Sequence, residues 1–179
     1  MVYEELNLMM RTLRDFIDDS IEKILVDSRG AYQRMCDFAD KYLADLADRL
    51  ELYSGERPVF DLYNIEDEIQ KSLQSKVQLK SGGYLIIDQT EAMTTIDVNT
   101  GAYVGHRNLE ETIFKTNLEA AQAIARQLRL RNLGGIIILD FIDMANEEHK
   151  RQVLRAFEKC IDKDHAKCYL TDISRLGLI

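Results

Sequence analysis

The sequence predicts an α/β chain of the α+β type, with helices laid against a sheet. Two observations carry that expectation. From Tyr84 onward, segments follow in the order strand, strand, helix, strand, helix, strand. Of the 179 residues, 46% are apolar, enough core for one ordinary domain or two small ones.

Each element has a local reason. Residues 21–26 read as a short strand, and Asp27-Ser28 as the start of a helix over 32–46. There Tyr32, Met35, Cys36, Ala39, Tyr42, Leu43 and Leu46 recur at helical spacing. Residues 50–53 form a second short strand closed by Ser54-Gly55, and Pro58, the sole proline, sits in a connection. Asn64 reads as the N-cap of a helix over 65–77, with Ile65, Ile69, Leu73 and Val77 on one face.

Composition changes at Lys80-Ser81-Gly82-Gly83. Residues 84–88 and 93–98 then read as a β-hairpin turned through 89–92. A glycine-bearing loop over 99–107 leads to a long helix over 109–131. Its core stripe is Leu109, Ile113, Asn117, Ala120, Ala121, Ile124 and Leu128, and Leu133-Gly134-Gly135 ends it. The continuous apolar run over 136–141 predicts a central strand covered on both faces. A helix over 147–162 and a last strand over 167–171 complete the order.

Bulk properties exclude several classes. No run of about eighteen apolar residues is present, which excludes a transmembrane helix of ordinary length. The opening Met-Val-Tyr-Glu-Glu is acidic at once, unlike a secretory leader. Cys36, Cys160 and Cys168 have no C-x-x-C spacing and read as reduced thiols of a cytoplasmic protein. The apolar end Leu176-Gly177-Leu178-Ile179 reads as a piece of a longer protein.

The net charge of −8 argues against a polyanion partner gripped by the whole surface. Between His106 and Arg131, however, Arg107, Lys115, Arg126, Arg129 and Arg131 leave room for a local basic face. The same arginines also read as a solvated helix side, with Arg129 and Arg131 suited to the negative end of the helix dipole.

The chemistry concentrates in two aspartates that end apolar strand-like runs. Asp97 follows Met93-Thr94-Thr95-Ile96, and Asp140 follows Ile136-Ile137-Ile138-Leu139. A buried strand that stops on a carboxylate delivers it to the rim of a sheet, where α/β sites collect. Asn99, two residues after Asp97, falls on the same face of a continuing strand. Two carboxylates and an amide make an all-oxygen set that suits Mg²⁺, and Mg²⁺ suits phosphodiesters. A strand-end aspartate also serves as a cap or a surface group. Asp143 reads as a cap or a group supporting Asp140, and Asp88 as structural in the hairpin turn. His106 and Arg107, in the loop after Gly101, are candidate phosphate contacts or part of a solvated loop. His149 and His165 lack ligand-spaced partners and read as exposed. No P-loop, G-x-G-x-x-G, G-x-S-x-G or H-E-x-x-H occurs.

At these residues the sequence resembles the bacterial ribonuclease E/G family. The matching stretches are Ser81-Gly82-Gly83-Tyr84-Leu85-Ile86-Ile87-Asp88-Gln89-Thr90-Glu91-Ala92, Thr95-Ile96-Asp97-Val98-Asn99 and Asn108-Leu109-Glu110-Glu111-Thr112. They continue through Thr116-Asn117-Leu118-Glu119-Ala120-Ala121, Ile124-Ala125-Arg126-Gln127-Leu128-Arg129-Leu130-Arg131, Leu133-Gly134-Gly135 and Asp140-Phe141-Ile142-Asp143-Met144. Earlier, Tyr53-Ser54-Gly55-Glu56-Arg57-Pro58 and Glu66-Asp67-Glu68-Ile69-Gln70 also match, so the likeness covers nearly the whole chain.

The resemblance implies an RNase H-like structural subdomain, partial here, over residues 1–72. It implies a DNase I-like catalytic subdomain with a mixed sheet and flanking helices over 73–179. It further implies a single-strand-specific endoribonuclease that cuts AU-rich RNA and prefers a 5′-monophosphate. Its roles would be mRNA decay and ribosomal RNA maturation at the 5′ end of the small-subunit species. Asp97 and Asp140 would hold Mg²⁺, and Asn99 would support the scissile phosphate or the attacking water. The full-length family member would be a homo-oligomer, a dimer or higher. No S1 segment, 5′-sensor segment or C-P-x-C zinc link is found in these residues. Two other readings stand beside this one: a non-catalytic folding or association scaffold, and a DNase I-like phosphohydrolase acting on DNA or a small phosphoester.

Overall fold

A computed structural model describes residues 6–101, 109–164, 166–174 and 177–179. It is mixed α/β, as the sequence predicts, and separates into two compact units, Met1–Glu66 and Asp67–Ile179.

The first unit begins with helix α1 (Leu8–Asp15), which has no counterpart in the sequence-based expectation. Asn7 caps it by accepting the Met10 amide at 3.1 Å. Strand β1 (Ile24–Val26), helix α2 (Arg29–Tyr42), a single helical turn α3 (Ala44–Ala47) and strand β2 (Leu50–Leu52) follow. The expected helix start holds: Ser28 is the N-cap of α2. β1 and β2 pair in parallel, which the α2 crossover makes possible. Met10, Leu13, Val26, Met35, Ala39 and Leu50 form the core. The short helix α4 (Val59–Leu62) comes after Pro58.

Helix α5 (Ile65–Ser72) is shorter than the expected 65–77. Val77 belongs to strand β3 (Lys76–Gln78), because its backbone pairs with Leu85. Asn64 does not take the extended conformation of an N-cap; its φ is 54°. The Ile65, Ile69 and Leu73 stripe is exposed, so it does not form a core face.

The second unit is built on a four-stranded sheet. Strands β4 (Tyr84–Gln89) and β5 (Met93–Asn99) form the expected hairpin, and β6 (Ile136–Asp140) joins β5 in parallel after helix α6 (Leu109–Leu130). The order is β3-β4-β5-β6. Helix α7 (Glu147–Ile161) is capped by Asn146, which accepts the Glu148 amide at 2.8 Å. Leu85 and Ile87 of β4, Ile96 and Val98 of β5, and Leu139 of β6 point to one face. They pack with Ala120, Ala121 and Ile124 of α6 and with Val153 and Phe157 of α7. The small residues of α6 let the helix backbone lie close to the sheet.

Two expectations about this sheet are corrected. β6 is not a central strand covered on both sides: it lies at the end of the strand order, and Ile136 is 60% exposed. A continuous apolar run reports hydrophobicity, not the number of neighbours. Residues 167–171 are not a strand; Tyr169 there is 94% exposed. The chain that borders β6 is Leu178–Ile179, whose Ile179 carbonyl accepts the Leu139 amide at 2.8 Å.

Candidate active site

The helices cover one face of the sheet. The alternate residues, among them Tyr84, Ile86, Thr95, Asp97, Asn99, Ile138 and Asp140, are exposed or half-buried on the other face. The β5–β6 register sets Asp97 beside Asp140 as the last pair of the ladder. Neighbouring strands lie about 4.8 Å apart, so the two carboxylates share one rim of the open face. Asn99 comes one strand period later, and its Nδ2 donates to Asp97 Oδ2 at 2.7 Å. The structure thus brings together all three residues that the sequence singled out for catalysis.

Among the described residues no group of three or more His, Cys, Asp and Glu side chains is placed to hold a metal. Two carboxylates and one amide remain, and that all-oxygen set fits a hard cation such as Mg²⁺. Directly across from Asn99 on β4 stands Tyr84, with the Lys76 ammonium 3.9 Å from its ring centre. This cation and aromatic pair escaped the sequence reading, because only the strand register reveals it. A cavity of about 250 Å³ opens beyond the sheet end, among Ile142, Asp143, Lys150, Val153 and Ser174. Neither Asp97 nor Asp140 lines it. Asp97 and Asp140 are both exposed, so the two carboxylates are accessible from the sheet face that the helices leave free.

Close backbone contacts shape the rim. A Cβ at Gly83 would stand 2.6 Å from the Asn99 carbonyl. Gly101 has φ +67°, and a Cβ there would collide with the Gly82 carbonyl. Gly101→Ala is expected to cost about 1–2 kcal/mol in thermal or denaturant unfolding, from left-handed strain and the clash together. A wild-type midpoint would contradict the close approach.

Glu119 of α6 holds the preceding turn: its carboxylate accepts the Lys80 amide and, at 2.9 Å, the Ser81 amide. Burial works against its ionisation, but the Ser81 side chain and amide and the Lys80 amide and charge outweigh burial, holding its pKa below the ordinary glutamate range. A depressed carboxylate stabilises the fold above its unfolded pKa, and that stabilisation is lost as pH falls through the folded value. Acidification is therefore expected to shift the Lys80 and Ser81 amide resonances in a step that Glu119→Gln abolishes. An unchanged step in that variant would assign it to another group.

The remaining candidates fall elsewhere. His106 and Arg107, the proposed RNA contacts, lie outside the described residues, as does His165. The expected basic face on α6 is partnered: Lys115 pairs with Glu111 at 3.1 Å and Arg126 with Glu68 at 2.8 Å. Arg129 donates to the Cys160 carbonyl, and Arg131 to Gln127 and to the Gln74 carbonyl. Asp88 lies in the β4 ladder opposite Thr95, not in the turn, which Thr90 and Met93 close. Asp143 is exposed and does not cap α7. His149 is half-buried and stacks on Phe114 at 4.2 Å, so it is not the exposed residue expected. Cys36 and Cys160 are half-buried, Cys168 is exposed, and all three are free thiols. No described helix is long and apolar enough to cross a membrane.

Comparison with known proteins adds a family-wide match. The model of the "Ribonuclease E/G family" matches residues 1–179. Ribonuclease G of Salmonella typhimurium (strain SL1344) is 60% identical over 178 residues, covering 99% of this chain and 36% of the relative. Ribonuclease G of Escherichia coli (strain K12) is 58% identical over the same coverage. Ribonuclease E of that strain is 40% identical over 184 residues, 100% of this chain and 17% of the relative. The chain thus spans 36% of the length of the ribonuclease G relatives it matches.

Proposed function

The chain belongs to the ribonuclease E/G family, and from that premise we propose that it carries the hydrolytic centre of a Mg²⁺-dependent endoribonuclease. The observation that carries the reading is the level pairing of Asp97 with Asp140, with Asn99 hydrogen-bonded beside them. Asp97 and Asp140 would hold the ion. When bound, it supplies counter-charge to the phosphate and lowers the pKa of a coordinated water.

The chain's own residues have separate tasks in this reading. Asn99 spends one N–H on Asp97 Oδ2 and so fixes the orientation of that carboxylate. An amide nitrogen has a second N–H, which would donate to a phosphate oxygen or to the attacking water. The open sheet face admits a polymer that runs past the rim. This geometry supports an RNA strand over a small phosphoester, which would call for an enclosing site. The substrate is single-stranded, AU-rich RNA with a 5′-monophosphate, met in the cytoplasm during mRNA decay and ribosomal RNA maturation. The full-length protein acts as a homo-oligomer. These finer points rest on the family, not on the site.

The test is cleavage of a 5′-monophosphorylated, AU-rich single-stranded RNA, with Mg²⁺ and with EDTA, by this chain and by the full-length protein. Mg²⁺-dependent cleavage by either supports the reading. Cleavage that persists in EDTA contradicts it, and no cleavage by the full-length protein favours the scaffold reading.

A further inference from the structure

We propose that Asn117 is a positioning residue for the carboxylate pair, holding the chain that leaves β6 so that Asp140 stays level with Asp97. The inference rests on the reading of Asp97 and Asp140 given above. Asn117 lies within α6 and is completely buried, at 0% exposure. Its neighbours on the core stripe are Ala120, Ala121, Ile124 and Ala125. An asparagine is a poor helix former, and a buried amide is costly unless its hydrogen bonds are made.

Both ends of that amide are used on one residue. Asn117 Nδ2 donates to the Ile142 carbonyl at 2.7 Å, and the Ile142 amide donates to Asn117 Oδ1 at 3.1 Å. A residue that exchanges both bonds with one partner is what an antiparallel ladder offers at its hydrogen-bonded pairs. Asn117 thus serves Ile142 as a one-residue substitute for a strand, where β6 has already ended at Asp140.

The placement matters because Asp140 is the last residue of its ladder. The last pair of a ladder has bonds on one side only and frays. Asp140 is instead pinned from both directions. Leu139, before it, exchanges bonds with Ile179 at 2.8 and 3.1 Å, and Ile142, after it, is clamped by Asn117. α6, which packs on the buried face, therefore reaches around the sheet end to the strand that carries the carboxylate. Residues that orient metal-binding groups from behind commonly change metal affinity or activity by about 10–100-fold when replaced.

Asn117→Leu keeps the volume and removes both bonds, and Asn117→Asp keeps only the acceptor for the Ile142 amide. Three readouts separate positioning from simple stability, all well below the unfolding midpoint. These are Ile142 amide exchange, Mn²⁺ titration of this chain, and kcat and KM of the full-length protein on the RNA substrate. The expected result for Asn117→Leu is fast Ile142 exchange, a Mn²⁺ half-saturation raised about tenfold and kcat lowered about tenfold or more with KM unchanged. Asn117→Asp should fall between, and it is read in the same way if the leucine variant does not fold. Fast Ile142 exchange with unchanged Mn²⁺ half-saturation and kcat would overturn the proposal and leave Asn117 a structural residue. A wild-type chain that takes up no Mn²⁺ at the carboxylates would overturn both this proposal and the reading it rests on.

Discussion

Asp140→Asn is expected to lower RNA cleavage by the full-length protein about a thousandfold or more, with no loss of fold. Charge stabilisation through a metal is worth several kcal/mol in the transition state, and each 1.36 kcal/mol is a factor of ten. The fold should survive because Asp140 is exposed at the end of its ladder, and its side chain makes no described hydrogen bond or ion pair. A surface change of this kind usually alters stability by no more than about 0.5 kcal/mol. Circular dichroism and thermal unfolding of this chain check the second half, and single-turnover cleavage checks the first. Asp97→Asn should behave alike in activity. It also keeps an oxygen acceptor for Asn99 Nδ2, so the 2.7 Å contact alone would not separate it from Asp140→Asn.

The second large effect is on stability, and it tests which face of the sheet is open. Leu85 is 0% exposed and packs under α6, while the next residue, Ile86, stands half-buried on the face of Asp97. Leu85→Ala is expected to cost about 2–5 kcal/mol, from lost transfer energy and the cavity left behind. Ile86→Ala should cost about 1 kcal/mol or less, because its site is not enclosed. Urea unfolding of the two variants gives the comparison. Equal costs would mean that the second face is as well packed as the first, and the carboxylate rim would then not be open to a polymer.

Much of this arrangement was legible in the sequence, for physical reasons that differ between elements. The hairpin and α6 announce themselves through periodicity: Leu85 and Ile87, then Ile96 and Val98, alternate, and Ala120, Ala121 and Ile124 recur at helical spacing. Asp97 and Asp140 stand out because each breaks an apolar run at its end. The sequence could not state their register, which the β5–β6 pairing supplies. The misreadings arise where one-dimensional pattern competes with pairing. Val77 continued the helical stripe of Ile65, Ile69 and Leu73, but its backbone found a ladder partner in Leu85. Residues 167–171 have strand-like composition but no ladder partner among the described residues, while Leu178–Ile179 takes the place beside β6. Spacing alone puts Asn117 on the core stripe. The amide in that otherwise apolar stripe was the available signal that the position does more than fill space.

The basic residues teach a related lesson. Arg126, Arg129 and Arg131 look like a phosphate-binding set when only charge is counted. Their partners are Glu68, the Cys160 carbonyl, Gln127 and the Gln74 carbonyl, so they tie α6 to its surroundings within the second unit. Lys76, beside Tyr84 on the open face, was not in that set.

The most direct test of the central claim is where a divalent cation binds on this chain. Mn²⁺ added in small amounts to the isotope-labelled protein broadens the amide resonances nearest to it. The account predicts broadening centred on Asp97, Asn99 and Asp140, competed away by Mg²⁺ and absent in Asp97→Asn/Asp140→Asn. Broadening centred elsewhere, or unchanged by the double substitution, would contradict it.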